Sequence, residues 1–333
     1  MTLKESVFEK LKEAQKNQEY ISGEKLAQEC NVSRAAIWKA IKSLENDGIE
    51  INAVNNKGYI LIANNQYNQK TIQENLLKIN ADKNIKILFY DKIDSTNTQA
   101  KRLLLNKNPL ELNKTVCVAN EQTAGKGRLG RHFYSPSKTG IYFSIIYSPK
   151  NLLEPTKITT QAAVGICRAI KKVYEVDCKI KWVNDIYLNE QKVCGILTEG
   201  TTNLENGILD AAIIGIGINI ITNSDIPNEI KKTAGSIIHD SSNLKRSELL
   251  ANAISETLKI LDGTKSVKEK AMQEYKERSN LIGKEITVTP VINVKEGKYK
   301  CFVKGISDDA KLIVQLKDGS EKFLDSGEVS LHN

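Results

Sequence analysis

The stretch that most constrains the fold of this chain is Ala119–Arg131, which reads ANEQTAGKGRLGR. The apolar run Thr115–Val118 leads directly into it and is typical of a buried strand. Glycines let the backbone turn and come close to a ligand, while Lys and Arg supply cationic donors. The stretch combines both in Gly125, Lys126, Gly127, Arg128, Gly130 and Arg131. It therefore predicts a loop that binds an anion, and phosphate fits it best.

The pattern G-x-G-x-x-G is also present, but the loop is not predicted to be a dinucleotide-binding turn. That turn needs a helix opening on the glycines and an acidic residue about twenty positions later. Here Pro136 and Gly140 follow, and no Asp or Glu occurs between Gln122 and Leu153. The P-loop pattern, which ends in Lys-Ser/Thr, is not matched either. The remaining alternative is a solvated basic turn.

Length and composition predict a soluble protein of two or three domains, since one domain takes about 100–200 residues and this chain has 333. The hydrophobic fraction of 40% and charged fraction of 26% are ordinary for globular proteins. The net charge of +8 indicates an acidic partner: nucleic acid, nucleotide or acidic protein.

The cysteine pattern and the terminus predict a cytoplasmic location. The six cysteines show no C-x-x-C spacing, which favours reduced core thiols. The N-terminus is charged and amphipathic, unlike a signal peptide. The apolar stretch Ile208–Ile221 is too short to span a bilayer, so no membrane partner is expected.

Residues 1–65 predict a winged helix-turn-helix domain: a helix, a short helix capped by Ser22, a third helix capped by Ser33, and a hairpin around residues 55–58. In this motif the second helix of the pair enters the major groove of DNA. The third helix has an apolar face, and the predicted DNA contacts on its other side are Ser33, Arg34, Trp38, Lys39 and Lys42. The alternative is a solvated basic helix face.

The rest of the chain divides into three parts. Residues 66–82 are polar and then weakly helical, which predicts a linker. Residues 83–282 mix strands with long helices and predict an α/β (α+β) domain with a mixed sheet. Residues 283–333 contain short alternating strands and predict a small β-barrel.

Three places in the central part present polar side chains at strand ends. Ser95 and Thr96 follow a strand, where hydroxyls either cap a helix or face a ligand, and capping is favoured from the motif alone. Lys181 lies in a run, residues 179–187, predicted as one strand, and a half-buried lysine there needs an anion unless it snorkels. The glycines of the run 213–220 leave flat space for a ring, or mark a bulge, and Asn219 follows with an amide that can read a base edge.

Six motifs in order carry a resemblance to a known family: DSTN, EQTAGKGRLGR, KWVNDIY, KVCGIL, GIGINI and GEVSL. The chain resembles the biotin–protein ligases, and the leading VSRAAIWKAIKSLENDG resembles the bifunctional form that is also the biotin operon repressor. The resemblance covers nearly the whole chain. It implies a winged helix, a central domain shared with lipoate ligases, and a C-terminal SH3-like barrel.

The resemblance also implies roles for individual residues. The biotin pocket would contain Ser95, Thr96, Asn97, Gln122, Lys126, Gly127, Arg128 and Lys181. The ATP and adenylate contacts would be Arg128, Arg131, Phe133, Lys192 and Asn219. The residues implied in catalysis are Lys181, Arg128, Lys126 and Asp185, and no residue is assigned to a metal.

The implied reaction has two steps. Biotin's carboxylate attacks the α-phosphate of ATP, supplied with Mg²⁺, to give biotinyl-5′-adenylate, and a lysine of a biotin carboxyl carrier protein then takes the biotinyl group. The adenylate would also promote homodimerisation, so that two winged helices bind operator DNA. Two alternatives are a biotin-sensing transcription factor without catalysis and a ligase whose winged helix no longer represses.

Three positions depart from the family pattern. Lys126 stands at the first arginine of the usual GRGR loop, which replaces a bidentate guanidinium by a point charge. Phe133 stands where Trp is common, and Val183 where Pro is common. These changes leave the reaction possible and are expected to alter how long the intermediate is held.

Overall fold

The structure is a computed structural model of the chain. It describes residues 2–17, 19–46, 49–63, 67–148, 154–202, 209–222, 226–231, 233–239, 244–291, 297–325 and 327–331. Among the described helices, none combines the length and apolar character needed to cross a bilayer.

The N-terminal part contains three helices and a two-stranded hairpin: α1 Leu3–Lys16, α2 Gly23–Cys30, α3 Arg34–Asn46, β1 Glu50–Val54 and β2 Gly58–Ala63. Its core combines α1 with the apolar face of α3, including Val7, Leu11, Ile37 and Ile41. The turn between α2 and α3 is closed by Asn31 in the left-handed conformation (φ 53°). This order of elements confirms the predicted helix-turn-helix with a wing.

A glycine fixes the wing against the helices. Gly58 has φ +108°, and a Cβ there would lie 2.3 Å from the carbonyl oxygen of Ile21. Ile21 and Tyr59 exchange backbone hydrogen bonds of 2.9 and 2.8 Å, so the hairpin passes directly over the start of α2. Only a residue without a side chain fits this approach.

The range 66–82, predicted as a linker, contains a packed helix, α4 Gln69–Lys78. Tyr67, Ile72 and Leu76 are buried in the central hydrophobic core. Asn68 caps the helix by accepting a hydrogen bond from Thr71 N at 2.9 Å. The apolar residues recur only about once per turn, so the segment reads as polar. Tertiary packing of these few residues stabilises the helix, whose intrinsic propensity is weak.

The central part is built on a seven-stranded mixed sheet in the order β3-β4-β5-β9-β8-β7-β6. Its strands are β3 Lys86–Ile93, β4 Thr115–Gln122, β5 Gly140–Tyr147, β6 Lys179–Lys181, β7 Asp185–Leu188, β8 Gln191–Thr202 and β9 Leu209–Asn219. Its helices are α5 Thr96–Asn106, α6 Pro155–Tyr174, α7 Asn228–Lys231, α8 Arg246–Leu261 and α9 Lys265–Glu277. Strands β3 and β4 are parallel, and the remaining pairs are antiparallel.

The two faces of the sheet are covered differently. On one face, α6 and α8 pack against Phe143, Ile214 and Ile216 in the main core. The other face carries α5 over a smaller cluster that includes Cys117 and Ile146. Because α5 is short, the part of this face beyond its N-terminus is left for a site.

The prediction of one continuous strand over residues 179–187 is wrong. The chain folds back after Lys181, and β6 pairs with β7 in antiparallel register, so that Lys181 stands opposite Asp185. Contacts from distant parts of the chain hold this turn. Trp182 Nε1 donates to Ala310 O at 2.8 Å, and the Tyr275 hydroxyl donates to Val183 O at 3.0 Å.

The C-terminal part is a five-stranded antiparallel sheet in the order β13-β12-β11-β10-β14. Its strands are β10 Glu285–Thr289, β11 Tyr299–Ile306, β12 Leu312–Gln315, β13 Glu321–Leu324 and β14 Glu328–Leu331. The inward residues alternate as predicted and join the main core. Ion pairs of 2.7 and 2.6 Å, Lys157–Asp309 and Lys276–Asp308, connect this sheet to α6 and α9.

A buried arginine joins the packed helix segment to the central sheet. Arg246, the first residue of α8, is 4% exposed, and its Cζ lies 3.8 Å from the ring centroid of Tyr67. Its Nε donates to Gly140 O at 2.8 Å and its Nη2 to Asn120 Oδ1 at 2.9 Å. A guanidinium can be buried at low cost only when its N–H groups are met in this way.

Replacing Arg246 by Met should remove both hydrogen bonds and the contact with the Tyr67 ring. We expect the free energy of unfolding, from urea titration, to fall by about 3 kcal/mol. Arg102→Met is the matched control, because Arg102 is half exposed in its pair with Asp94, and it should lower the free energy of unfolding far less than Arg246→Met does. Equal losses in the two variants would contradict the role of the buried guanidinium.

Candidate active site

The floor of the site is a patch of small residues on the face of the sheet that α5 covers. Ser144 is paired with Gly215 across β5 and β9, and Gly217 is paired with Gly195 across β9 and β8. A Cβ on Gly215 would lie 2.0 Å from Asn97 Oδ1, and one on Gly217 would lie 2.4 Å from the Phe133 ring. The glycines of β9 therefore admit an amide and an aromatic ring directly against the backbone, and no bulge is involved.

A cavity of about 470 Å³ lies above this floor. Its wall combines the start of α5, the loop after β4, the β6–β7 turn and β8, with Gly327, Val329 and Ser330 of the C-terminal sheet at the edge. Every residue predicted for the biotin, ATP and catalytic roles lines it: Ser95, Thr96, Asn97, Gln122, Lys126, Gly127, Arg128, Arg131, Phe133, Lys181, Asp185, Lys192 and Asn219. Residues from five separate segments are thus brought together.

The junction between β3 and α5 serves as both cap and wall. Ser95 is the N-cap residue of α5, with its Oγ 3.5 Å from Thr98 N. Ser95, Thr96 and Asn97 are only 2–4% exposed, and all three line the cavity. Ser95 therefore caps the helix and also lines the cavity, so capping does not exclude the alternative of a ligand contact.

A chain of hydrogen bonds runs beneath the cavity. Gln122 Oε1 accepts from Thr96 N at 2.9 Å and lies 3.1 Å from Thr96 Oγ1. Ser144 Oγ is 2.7 Å from Thr96 Oγ1 and 2.6 Å from Asn97 Oδ1. At the other end, Gln122 Nε2 donates to Ser135 Oγ at 2.9 Å. These buried polar groups are rigidly connected, and such networks hold their members in one arrangement.

The chain of hydrogen bonds ends, on the side of α5, at the carboxylate of Glu199. Glu199 accepts from Asn97 Nδ2 at 2.8 Å and from Lys101 Nζ at 2.7 Å. Burial raises the pKa of Glu199, but the hydrogen bonds from Lys101 and Asn97 outweigh it and hold the pKa below the usual value. The carboxylate is therefore ionised at neutral pH.

The basic loop folds back on itself as a narrow hairpin. Gly127 N donates to Arg131 O at 2.7 Å, and Phe133 N donates to Gly125 O at 2.9 Å. Leu129 and Gly130 form the tip, both with positive φ (57° and 74°). The chain reverses direction at Leu129 and Gly130, and Lys126 and Arg128 therefore line the cavity.

Two side chains, Arg128 and Phe133, hold the loop against the rest of the site, in addition to backbone hydrogen bonds from Thr123 and Ala124 to Ile93 and Asp94. Arg128 Nη1 donates to Asn184 Oδ1 at 2.9 Å, and Asn184 Nδ2 donates to Ile196 O at 2.9 Å. The ring of Phe133 lies over Gly217, with Tyr142 edge-on at 6.4 Å. In the structure, the ring of Phe133 lies in the flat space that was predicted beside the glycines of β9.

The cationic end of the cavity is formed around the β6–β7 turn. Lys192 Nζ and Asp185 Oδ1 form an ion pair of 2.6 Å. Lys181 Nζ is 5.7 Å from the ring centroid of Tyr187, whose pKa burial and Asp185 raise to about 12. Together with Lys126 and Arg128, these groups make this end of the cavity basic, while Asp185 is the only carboxylate among the described residues that line it.

Sequence reasoning missed Ser135, Ser144, Asn184 and Glu199, which support the lining residues. Ser144 could have been found from the sequence, because, apart from the two tyrosines, it is the single polar residue of the apolar strand GIYFSIIY. Glu199 gave none, because its partner Asn97 is 102 residues away.

The predicted DNA-contacting residues lie elsewhere, on α3. Ser33, Arg34, Trp38, Lys39 and Lys42 are all exposed. Trp38 is 54% exposed, which is unusual for an indole and leaves an aromatic surface beside the basic side chains. Lys42 is paired with Glu45 at 2.7 Å, so Arg34 and Lys39 contribute more of the positive charge of this face.

Comparison with known families agrees with this organisation. The profile of the biotin/lipoate A/B protein ligase family matches residues 89–219, and that of an HTH domain matches residues 7–60. The structure of the biotin protein ligase from Aquifex aeolicus in complex with biotin and ATP is 26% identical, with a TM-score of 0.60 over 74% of this chain and 98% of that one. The fold and cavity thus define a biotin/lipoate ligase domain that follows a helix-turn-helix.

Similarity to individual proteins identifies the family more narrowly. The bifunctional ligase/repressor BirA of Bacillus spizizenii is 35% identical over 241 residues, which is 71% of each chain. The bifunctional ligase/repressor BirA of Escherichia coli is 28% identical over 325 residues, 95% of this chain and 94% of that one. The chain belongs to the bifunctional ligase/repressor BirA family.

A methyl group on Gly217 should release the loop. In Gly217→Ala, the new Cβ would lie 2.4 Å from Phe133, so the ring has to leave and the hairpin loses this contact with the sheet. We expect trypsin to cleave after Arg128 or Arg131 at least about five-fold faster under native conditions, since cleavage follows local opening. Mass spectrometry of the first fragments measures this.

Gly215→Ala is the matched control, because its Cβ meets Asn97 instead of Phe133. Both variants strain the same strand, but only Gly217→Ala should accelerate cleavage within the loop. Equal acceleration in both would mean that the strand, and not the Phe133 contact, holds the loop.

Proposed function

We propose that this chain is an ATP-dependent biotin–protein ligase that forms biotinyl-5′-adenylate, transfers biotin to a lysine of a biotin carboxyl carrier protein, and represses biotin genes. The observation that carries the proposal is the convergence of thirteen predicted residues on one cavity in a member of the BirA family. The six unpaired cysteines suit a reducing, cytoplasmic setting.

The neutral end of the cavity suits the ureido ring of biotin. A cyclic urea presents one carbonyl acceptor and two N–H donors. Gln122 Nε2 already donates to Ser135, and its second hydrogen would donate to the ureido oxygen. Ser95, Thr96 and Asn97, each only 2–4% exposed, supply further polar atoms at this end of the cavity.

The basic end suits the carboxylate of biotin and the α-phosphate of ATP. In the first step the carboxylate oxygen attacks phosphorus and pyrophosphate leaves, so negative charge accumulates on the phosphate oxygens. Lys181, Lys126 and Arg128 would stabilise that charge, each charge-assisted contact contributing roughly 1.5–3 kcal/mol. Arg128 is already oriented by Asn184, which lowers the cost of ordering it.

The aromatic and amide groups of the cavity suit adenine. The ring of Phe133 would stack on the base, and the Asn219 amide, at the end of β9, would hydrogen-bond its edge. Lys192 would lie near the phosphate and Arg131 would help to order the loop. Mg²⁺ usually binds through one or two carboxylates and the substrate phosphates, and Asp185 is the carboxylate available for this.

The second step requires an uncharged lysine amine and exclusion of water. The carrier's amine attacks the acyl carbon, AMP leaves, and a proton is lost from the nitrogen. Asp185, held by Lys192, would orient that amine. A glycine-jointed loop that covers the acyl adenylate protects it from hydrolysis.

Repression would combine this site with the N-terminal domain. A single helix-turn-helix binds DNA weakly, whereas a dimer spans two half-sites. We propose that the adenylate orders the hairpin loop, whose tip residue Leu129 is 57% exposed, and that the ordered loop completes a homodimer surface. Sedimentation velocity would contradict this if the dimerisation constant were the same with and without biotin and ATP.

Biotin-dependent exchange of radiolabelled pyrophosphate into ATP tests the first step. We expect exchange with biotin and not with lipoate, and a loss of at least about 100-fold in Lys181→Ala, because a positioned cation near the phosphate disappears. Lys179→Ala is the matched control: Lys179 lies on the same strand but outside the cavity, and its loss should change the rate less than about two-fold. The proposal fails if the unmodified protein catalyses no exchange with biotin.

Fluorescence anisotropy with DNA from upstream of the chain's own gene tests repression, with biotin and ATP present. Lys39→Ala should weaken binding about five-fold or more and reduce the salt slope by about 1, as expected for a lost phosphate contact. Lys265→Ala, on the distant helix α9, should change neither quantity. Unchanged binding in Lys39→Ala would exclude the exposed face of α3 as the DNA-binding surface.

A further inference from the structure

We propose that Trp38 selects thymine in the major groove by packing its indole ring against the 5-methyl group of the base. This inference rests on the proposed binding of operator DNA by α3 and names the base that one residue of this helix reads. Trp38 is 54% exposed, whereas Trp182, the other tryptophan of the chain, is 3% exposed and lies in the main core. An exposed indole keeps a large apolar area in water, so a partner that covers the ring gains free energy.

The indole lies on the side of α3 that faces away from the core. Ile37, its neighbour in the sequence, is buried. Trp38 follows Arg34 by one helical turn and precedes Lys42 by another, and all three side chains are exposed. Residues four apart are neighbours on a helix surface, so the ring lies between two cationic side chains. Since α3 has no acidic residue before Glu45, this side of the helix suits an anionic partner such as DNA.

The hydrogen-bonding side chains on this side of α3 favour G·C pairs over A·T pairs. Arg and Lys read guanine, whereas Asn and Gln read adenine, and residues 33–42 contain neither amide. Ser33 Oγ already caps the helix by accepting a backbone hydrogen bond of 3.2 Å, and Lys42 is paired with Glu45. Arg34 and Lys39 remain for guanine or phosphate. The contact left for reading an A·T pair is therefore an apolar one, with the methyl group of thymine.

Thymine matches both properties of an indole. Its 5-methyl group is the apolar feature by which a base is recognised in the major groove, and its O4 atom, next to the methyl group, accepts hydrogen bonds. The indole presents a flat apolar ring and one polar group, Nε1–H, which can only donate. Packing the ring of Trp38 against the methyl group removes apolar surface of both partners from water, which changes the affinity about four-fold for each methyl group covered.

Deoxyuridine in place of thymidine removes this methyl group and keeps the base pairing. Fluorescence anisotropy would compare DNA from upstream of the chain's own gene with a copy that contains uracil, with biotin and ATP present. We expect the unmodified protein to bind the uracil copy at least about four-fold more weakly, which is the loss for one methyl contact. Trp38→Ala should lose affinity for the thymine copy and discriminate less than about 1.5-fold between the two copies, because the partner of the methyl group is gone.

Lys39→Ala is the matched control, because Lys39 is the next residue of α3 and is also exposed. It should weaken binding to both copies equally, keep the preference for thymine, and reduce the salt slope by about 1. Trp38→Ala should leave the salt slope unchanged, since an apolar contact releases no counterions. Trp38→Phe keeps an aromatic ring and should retain most of the preference, which distinguishes apolar reading from general damage to the helix.

Uracil interference would locate the contact on the DNA. Thymines are replaced by uracil at random positions, bound and free DNA are separated, and uracil-DNA glycosylase followed by alkali marks the uracils. Positions at which uracil is depleted from the bound fraction are those whose methyl groups contribute to binding. We expect such positions with the unmodified protein and with Lys39→Ala, and we expect them to disappear with Trp38→Ala.

The outcomes separate this inference from the proposed function. An absence of DNA binding by the unmodified protein overturns both. Equal binding of the thymine and uracil copies leaves repression in place and overturns the role of Trp38 alone. That role is also overturned if Trp38→Ala keeps the preference for thymine, or if its loss of affinity comes with a smaller salt slope, as for a phosphate contact.

Discussion

The site depends on one constraint: in one patch of the face of the central sheet that α5 partly covers, adjacent strands carry only Ser144, Gly195, Gly215 and Gly217. Ile214, Ile216 and Ile218 of β9 point to α6 and α8 and are fully buried, while the alternate positions, Gly215 and Gly217, are bare. The same strand therefore supplies both the core and the floor of the cavity. Period-two alternation makes this division possible, since neighbouring residues point to opposite faces.

Where a strand carries glycine, other side chains can pack directly against its backbone, and this close packing fixes their positions. Asn97 rests on Gly215 and Phe133 on Gly217, so the start of α5 and the end of the basic loop are both positioned by β9. Water is largely excluded at these contacts, and each polar atom consequently needs a protein partner. The chain of hydrogen bonds from Glu199 to Ser135 is how the protein meets that requirement.

Local sequence patterns predicted most helices and strands. The predictions failed where long-range contacts determine the conformation of the chain. The i, i+4, i+7 spacing of Ile37, Ile41 and Leu44 was enough to place α3, whereas the glycines of β9 left a flat floor and a bulge as alternatives until the strand pairing was known. Residues 179–187 look like one strand because apolar residues recur through both halves, and the reversal at Trp182 depends on Ala310 and Tyr275, both more than ninety residues away. The helix α4 was similarly hidden, since its burial depends on α8.

The gathering of the predicted site residues could be anticipated only through the family resemblance. Spacing along the chain does not reveal that Ser95, Lys126, Lys181 and Asn219 face one cavity, because strand order 3-4-5-9-8-7-6 is not fixed by any local signal. Supporting partners such as Glu199 are still less accessible to sequence reasoning. A carboxylate on a strand is ordinarily a solvent-facing residue.

The buried guanidinium of Arg246 connects the residue that precedes α4 with two strands of the central sheet. It binds the Tyr67 ring on one side, just after the helix-turn-helix domain, and Asn120 and Gly140 on the other. Asn120 is two residues from Gln122 on β4, and Gly140 is paired with Asn219 at the end of β9. The ends of β4 and β9 are thus fixed to the same side chain that contacts Tyr67 just before α4.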